Sequence, residues 1–152
     1  MTLQNLLPAN WQFDTTQLNP IDSDGKWLLP PLVDLCARLR EPGHQSHGTL
    51  KSEGAAAREN GFLHVVIPPD TNPVLENGSL LAGLRERAYQ DGGIYLYVLG
   101  AMTAGLEGEK PANMLGLKQG GIIGVSNARR KFANDDVLLQ ALDYAATYDI
   151  KV

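Results

Sequence analysis

Asp34, Cys36 and Arg38 recur at every second position where an apolar run that begins at Leu28 gives way to Arg40-Glu41-Pro42-Gly43. On an extended strand that spacing puts all three side chains on one face, and α/β folds keep their chemistry where a strand ends and its loop begins. A cysteine thiolate is a zinc ligand. A guanidinium is not, because it stays protonated and offers no lone pair. A divalent ion about 4 Å from Arg38 would suffer repulsion of roughly 8 kcal/mol at an effective dielectric of about 20. That is a large share of the roughly 10 to 16 kcal/mol with which structural zinc is held. The face is expected to reject metal, and Cys36 also suits a plainer role as a small buried apolar residue.

Other candidates carry less. His44 and His47 stand three apart in a polar loop, but two histidines without an obvious third ligand make a poor metal site. His64 opens an apolar segment and reads as a hydrogen-bonded structural residue. Gly92-Gly93 and Gly120-Gly121 precede apolar segments, so they read as helix stops and not as phosphate cradles. No Gly-x-Ser-x-Gly nucleophile arrangement occurs.

Four short apolar segments could position these groups: residues 32–37, 62–67, 94–99 and 121–126. They are too apolar to face water on either side, as buried parallel strands are. Helical patterns separate them. Residues 49–60 end at Gly61, residues 79–90 place Leu80, Leu81, Leu84 and Ala88 on one face, and Pro111 suits a first helical position before Met114. Asn134 is a good N-cap for a stripe of Val137, Leu138, Ala141, Leu142, Ala145 and Tyr148. Strand starts spaced by about 30 residues are the length of a βαβ unit. An α/β fold with a parallel sheet follows, either the N-terminal half of a (βα)8 barrel of four βα units plus the start of a fifth strand near Asp149, or a doubly wound parallel sheet. Asp24-Gly25 adds a turn signal before the main fold.

The chain has 152 residues, 43% of them apolar and 20% charged, with a net charge of −4. That suffices for one domain with a core but falls short of the roughly 250 residues of a whole barrel. Without a long basic block, neither nucleic acid nor anionic lipid is an expected partner. The single cysteine allows no internal disulfide, and no apolar run approaches the roughly 18 residues of a spanning helix. A cytoplasmic protein is expected.

Asp34-Leu35-Cys36-Ala37-Arg38 followed by Leu39-Arg40-Glu41-Pro42-Gly43 resembles the first strand of the cyclic amidohydrolases, dihydroorotase in particular, whose pattern is Asp-x-His-x-His followed by Leu-Arg-Glu-Pro-Gly. Pro69-Asp70-Thr71-Asn72-Pro73 is similar to the family's Pro-Asn-Thr-x-Pro segment, and Leu99-Gly100-Ala101-Met102-Thr103 and Tyr144-Ala145-Ala146-Thr147-Tyr148 support the match. The resemblance implies the amidohydrolase-type half-barrel over residues 30–152, preceded in residues 1–29 by the remnant of a small β-domain and a lead-in strand.

It also implies a degenerate site. Cys36 and Arg38 stand at the two zinc-ligand histidines, and Asn127 stands in the region where active class I relatives carry a metal-bridging aspartate. Arg40 matches the arginine that grips the substrate carboxylate, and Asp70 replaces the asparagine that helps it, so both are vestigial substrate-binding positions. No residue is assigned a catalytic role. One hypothesis joins two substitutions: Asp70 pairs with Arg38 and fills the vacated cavity. The pattern resembles the inactive homologues that partner the aspartate transcarbamoylase catalytic chain, which implies a non-catalytic, dihydroorotase-like protein of pyrimidine biosynthesis without a cofactor. The alternative is a divergent zinc-dependent amidohydrolase in which Cys36, His44 or His47 rebuilds a metal site. An open half-barrel is further expected to self-associate, to bind a partner, or to be part of a longer polypeptide.

Overall fold

The computed structural model describes residues 24, 25, 27 and 29–152. Asp24 and Gly25 form a turn with φ of 44° and 74°, the left-handed pair an Asp-Gly turn calls for. Apart from residues 24, 25, 27 and 29, the small β-domain remnant and lead-in strand expected in residues 1–29 lie outside the described residues.

From Pro31 to Val152 the chain is one compact unit. Strands β1 (Leu32–Asp34), β2 (Phe62–Ile67), β3 (Tyr95–Ala101) and β4 (Gly124–Ser126) alternate with helices α1 (Leu50–Glu59), α2 (Leu81–Arg87), α3 (Met114–Gln119) and α4 (Asp135–Thr147). Every pairing is parallel and the sheet order is β1-β2-β3-β4. A doubly wound sheet reverses its order at a switch point. An unreversed order of parallel strands curls one way with its helices outside, the arrangement of the N-terminal half of a (βα)8 barrel. The amide of Val125 donates to the carbonyl of Lys151 at 2.8 Å, so Lys151 lies beside β4, where the fifth strand is expected to begin.

Local chemistry sets the element ends. Thr49 and Ser52 form a capping box on α1, and Gly61 closes its far end at φ 86°. The Asn134 side chain accepts from Val137 N at 2.9 Å, and Asp135 and Asp136 occupy the first turn of α4, where the helix dipole favours them. Pro111 does not start α3. Asn113 caps that helix through Gly116 N at 3.0 Å, which leaves Pro111 free to bridge Thr103. A π-turn (Ala88–Gly92) extends α2, and Gly54 on α1 approaches Gly92 so closely that a Cβ on Gly54 would meet backbone at 2.7 Å.

Val65 and Ile67 of β2 and Leu96 and Val98 of β3 alternate into the helix-side core with Leu50, Leu81, Leu84 and Leu117. The opposite face of the sheet carries His64, Tyr95 and Tyr97. His64 Nδ1 lies 3.1 Å from the Tyr97 hydroxyl and its ring stacks on Tyr95, the hydrogen-bonded structural role expected of it.

Three expectations about burial fail for identifiable reasons. Residues 32–37 are not a strand buried on both sides: β1 stops at Asp34, Leu32 and Val33 are half-exposed, and Leu35 is 73% exposed. Among the described residues β1 is an edge strand, with β2 on one side only. Leu80 falls in a 3₁₀ turn ahead of α2 and faces out. On α4 only Ala141 and Ala145 of the expected stripe are fully buried, in a small cluster with Met102, Met114, Val125 and Ile150, while Leu142 and Tyr148 stay at its rim.

Candidate functional site

The candidate site lies where β1 and β2 end. The side chain of Asp34 accepts from Cys36 N at 2.9 Å, a side-chain turn that competes with the sheet ladder and terminates the strand. Cys36 therefore sits on an exposed bend, not in the apolar interior expected for it. Pairing resumes when Ala37 N donates to Val66 O at 2.9 Å. Ala37 and Leu39 then turn into the helix-side core, and Arg38 is left to the other side.

There it meets Asp70. Arg38 donates to one carboxylate oxygen of Asp70 through Nη2 at 2.8 Å and through Nε at 3.1 Å. The hydrogen bonds it donates to Asp70, and then the charge of that carboxylate, hold the Arg38 guanidinium above its ordinary pKa. The expected pair thus forms, but it does not fill a buried cavity: its side chains are 36% and 25% exposed. It stands at an open rim, where solvent screens it.

Arg38, Arg40, His44, Asp70 and Thr71 line one cleft of about 230 Å³. Arg40 adopts a left-handed backbone, φ 66°, and its exposed guanidinium has no side-chain partner among the described residues. The loop carboxylate next to it points elsewhere. Glu41 is 5% exposed, accepts from the amide of Leu50 at 2.9 Å and pairs with Arg87. It thereby ties the Arg40 loop to the first turn of α1 and to α2. Burial alone would raise its carboxyl pKa, but the Leu50 amide and the Arg87 guanidinium outweigh burial and hold it below the ordinary value. The local sequence does not mark Glu41 for this role, because its partners stand 9 and 46 residues away.

Asn127 lies outside the lining of that cleft. It is buried, accepts from the Thr103 hydroxyl at 2.6 Å and donates to Arg130 O at 3.1 Å. Thr103 in turn accepts from Gly108 N at 3.0 Å. Here a neutral amide serves as a hydrogen-bonded post between the loops that follow β3 and β4, a role that needs both a donor and an acceptor.

The residues present do not fit a divalent metal. The guanidinium of Arg38 brings charge of the wrong sign and has engaged Asp70, the nearest carboxylate. His44 and His47 are exposed, with ring centroids 6.4 Å apart. Among the described residues no group of three or more histidine, cysteine, aspartate or glutamate side chains is placed to hold an ion. Nor is any helix among them long and apolar enough to cross a membrane.

A half-barrel carrying this sequence pattern at its strand ends defines a class, and the comparison with protein families agrees. The dihydro-orotase-like family model matches residues 25–152, and the chain belongs to that family. It is 38% identical over 132 residues to a dihydroorotase-like protein of Pseudomonas putida, a match covering 87% of this chain and 31% of that protein. A dihydroorotase-like protein of Pseudomonas aeruginosa is 36% identical over the same length. The dihydroorotase of Ruminiclostridium cellulolyticum is 31% identical over 141 residues, covering 93% of this chain and 33% of that enzyme. The chain thus spans about a third of the length of the curated relatives it matches.

Proposed function

We propose that the protein is a non-catalytic, dihydroorotase-like component of pyrimidine biosynthesis, acting in the cytoplasm as a structural partner of the aspartate transcarbamoylase catalytic chain. The observation that carries the reading is the Arg38–Asp70 ion pair. It sets a permanent cation at a position where the family places a zinc-binding imidazole, and it engages the neighbouring carboxylate. Without a metal to polarise the amide and activate water, ring hydrolysis has no replacement in this cleft. No cofactor is assigned. Arg40 lines the cleft without a side-chain partner among the described residues, and Asp70, in the place of the family's asparagine, turns its carboxylate to Arg38 and not to a substrate.

The partner reading rests on the resemblance of the degenerate pattern at Cys36, Arg38 and Asn127 to inactive homologues of that kind, and the two Pseudomonas relatives carry the name dihydroorotase-like protein, which suits the non-catalytic part of it. Among the described residues no strand pairs with the outer edge of β1, and Leu32 and Val33 are half-exposed, which suits coverage by another chain or a second copy. Co-expression with an aspartate transcarbamoylase catalytic chain, followed by affinity capture and sizing, tests the reading. A defined complex larger than either component supports it; separate elution of the two chains refutes it.

A second reading, a zinc-dependent amidohydrolase, is favoured by relatives named dihydroorotase. It requires Cys36, His44 or His47 to supply the ligands, and dihydroorotase turnover dependent on added zinc would establish it.

A further inference from the structure

The turn after β4 is built to hold three cations in the open. Arg130 N donates to Asn127 O at 2.8 Å, and Ala128 and Arg129 between them have φ of 48° and 66°. Left-handed φ at both central positions is normally left to glycine, asparagine or aspartate. Here an alanine and an arginine adopt it, and such conformations persist only where the surroundings over-determine them. They do so at several points. The buried Asn127 side chain is anchored to Thr103 and holds Arg130 O, the Ser126 hydroxyl accepts from Ala128 N at 3.1 Å, and Ala133 N donates to Gly108 O at 2.9 Å. Gly108 is pressed so closely against Lys131 that a side chain there would strike its carbonyl.

Arg129, Arg130 and Lys131 project from this clamped turn. All three are exposed, and among the described residues none forms an ion pair. The acidic groups on adjoining segments, Glu107, Glu109, Asp135 and Asp136, are exposed too and do not neutralise them by contact. Because the sheet is parallel, this turn and the loop of Arg40 lie at the same, carboxyl end of the strands.

We propose that the turn at residues 127–131 is a docking site for an acidic segment of a partner protein. Successive side chains around a turn diverge, so one small anion does not meet all three cations, whereas carboxylates spaced along a chain do. The net charge of −4 on the whole chain opposes long-range capture of a nucleic acid, which leaves short-range pairing to a local acidic stretch. The inference stands independently of whether the partner is a transcarbamoylase.

Fluorescence anisotropy with a fluorescein-labelled oligoglutamate peptide tests it. The intact protein should bind the peptide, and binding should weaken as salt is raised. The triple variant Arg129→Ser/Arg130→Ser/Lys131→Ser should lose about tenfold or more in affinity, while Lys51→Ser/Lys151→Ser, which removes two cations elsewhere, should bind as the parent does. Arg129→Lys/Arg130→Lys should keep most of the affinity, since charge and not a particular fork is required. Circular dichroism melts identify any variant that fails to fold, and the lysine variant then carries the comparison against an Arg129→Gln/Arg130→Gln pair. Equal binding by parent and triple variant, equal loss in the Lys51/Lys151 control, no salt-sensitive binding by the parent, or equally good competition by duplex DNA of matched charge would each overturn the proposal.

Discussion

One oxygen of Asp70 accepts both hydrogen bonds that Arg38 donates, at 2.8 and 3.1 Å, across 32 residues of sequence. The two strand ends that carry them neutralise one another at the open rim of the half-barrel. Partial exposure, 36% and 25% of the two side chains, limits what the pair adds to stability. A double-mutant cycle with Arg38→Ala and Asp70→Ala, followed by urea denaturation, should give a coupling of about 0.5–1 kcal/mol. A coupling of several kcal/mol would mean that the pair is shielded from water in solution.

Returning lone pairs to the site should return some affinity for metal. Cys36→His/Arg38→His removes the cation, supplies two imidazoles and frees Asp70 as a third donor. Equilibrium dialysis against zinc should show binding by the double variant that the parent lacks. Equal behaviour of the two proteins would show that more than these two side chains blocks the site.

Glu41 should matter more to stability than the rim pair does. Glu41→Ala leaves the buried amide of Leu50 without its acceptor and should cost about 1–3 kcal/mol. The carboxyl pKa is depressed in the folded protein, so its stabilising effect is complete above the unfolded value, an ordinary carboxylate pKa of about 4.3, and is lost as pH falls through the folded value. The stability gap between parent and Glu41→Gln should therefore narrow on acidification below the ordinary carboxylate range. A gap that widens there would contradict the assigned direction.

Asn127 tests whether a position that the resemblance assigns to a lost metal ligand serves the fold instead. Asn127→Ala strands the Thr103 hydroxyl and Arg130 O, and Asn127→Asp sets a carboxylate oxygen against that carbonyl. Both should destabilise by about 1–3 kcal/mol in thermal or urea melts. Ala128→Gly should act the other way, gaining about 0.5–1 kcal/mol by relieving a left-handed alanine.

Much of this was legible in the residues. The spacing of apolar segments gives four parallel strands and their helices, Asn134 marks the start of α4, and two paired substitutions point to the Arg38–Asp70 contact. What stayed hidden is non-local or depends on an edge. Nothing in the local pattern says that Asp34 will turn on the Cys36 amide and end β1 early, because an apolar run reads alike at the centre and at the border of a sheet. Glu41 reaches Leu50 and Arg87 across 9 and 46 residues, beyond any periodicity. Asn127 reads as a lost ligand, and only the fold shows it holding two loops together.

The central claim is that a permanently cationic side chain, neutralised by its neighbour, occupies the place of a metal. Elemental analysis of the purified protein by inductively coupled plasma mass spectrometry, after equilibration with zinc and gel filtration, tests it most directly. The account predicts zinc far below stoichiometry. About one tightly held zinc per chain, retained through gel filtration, would contradict it.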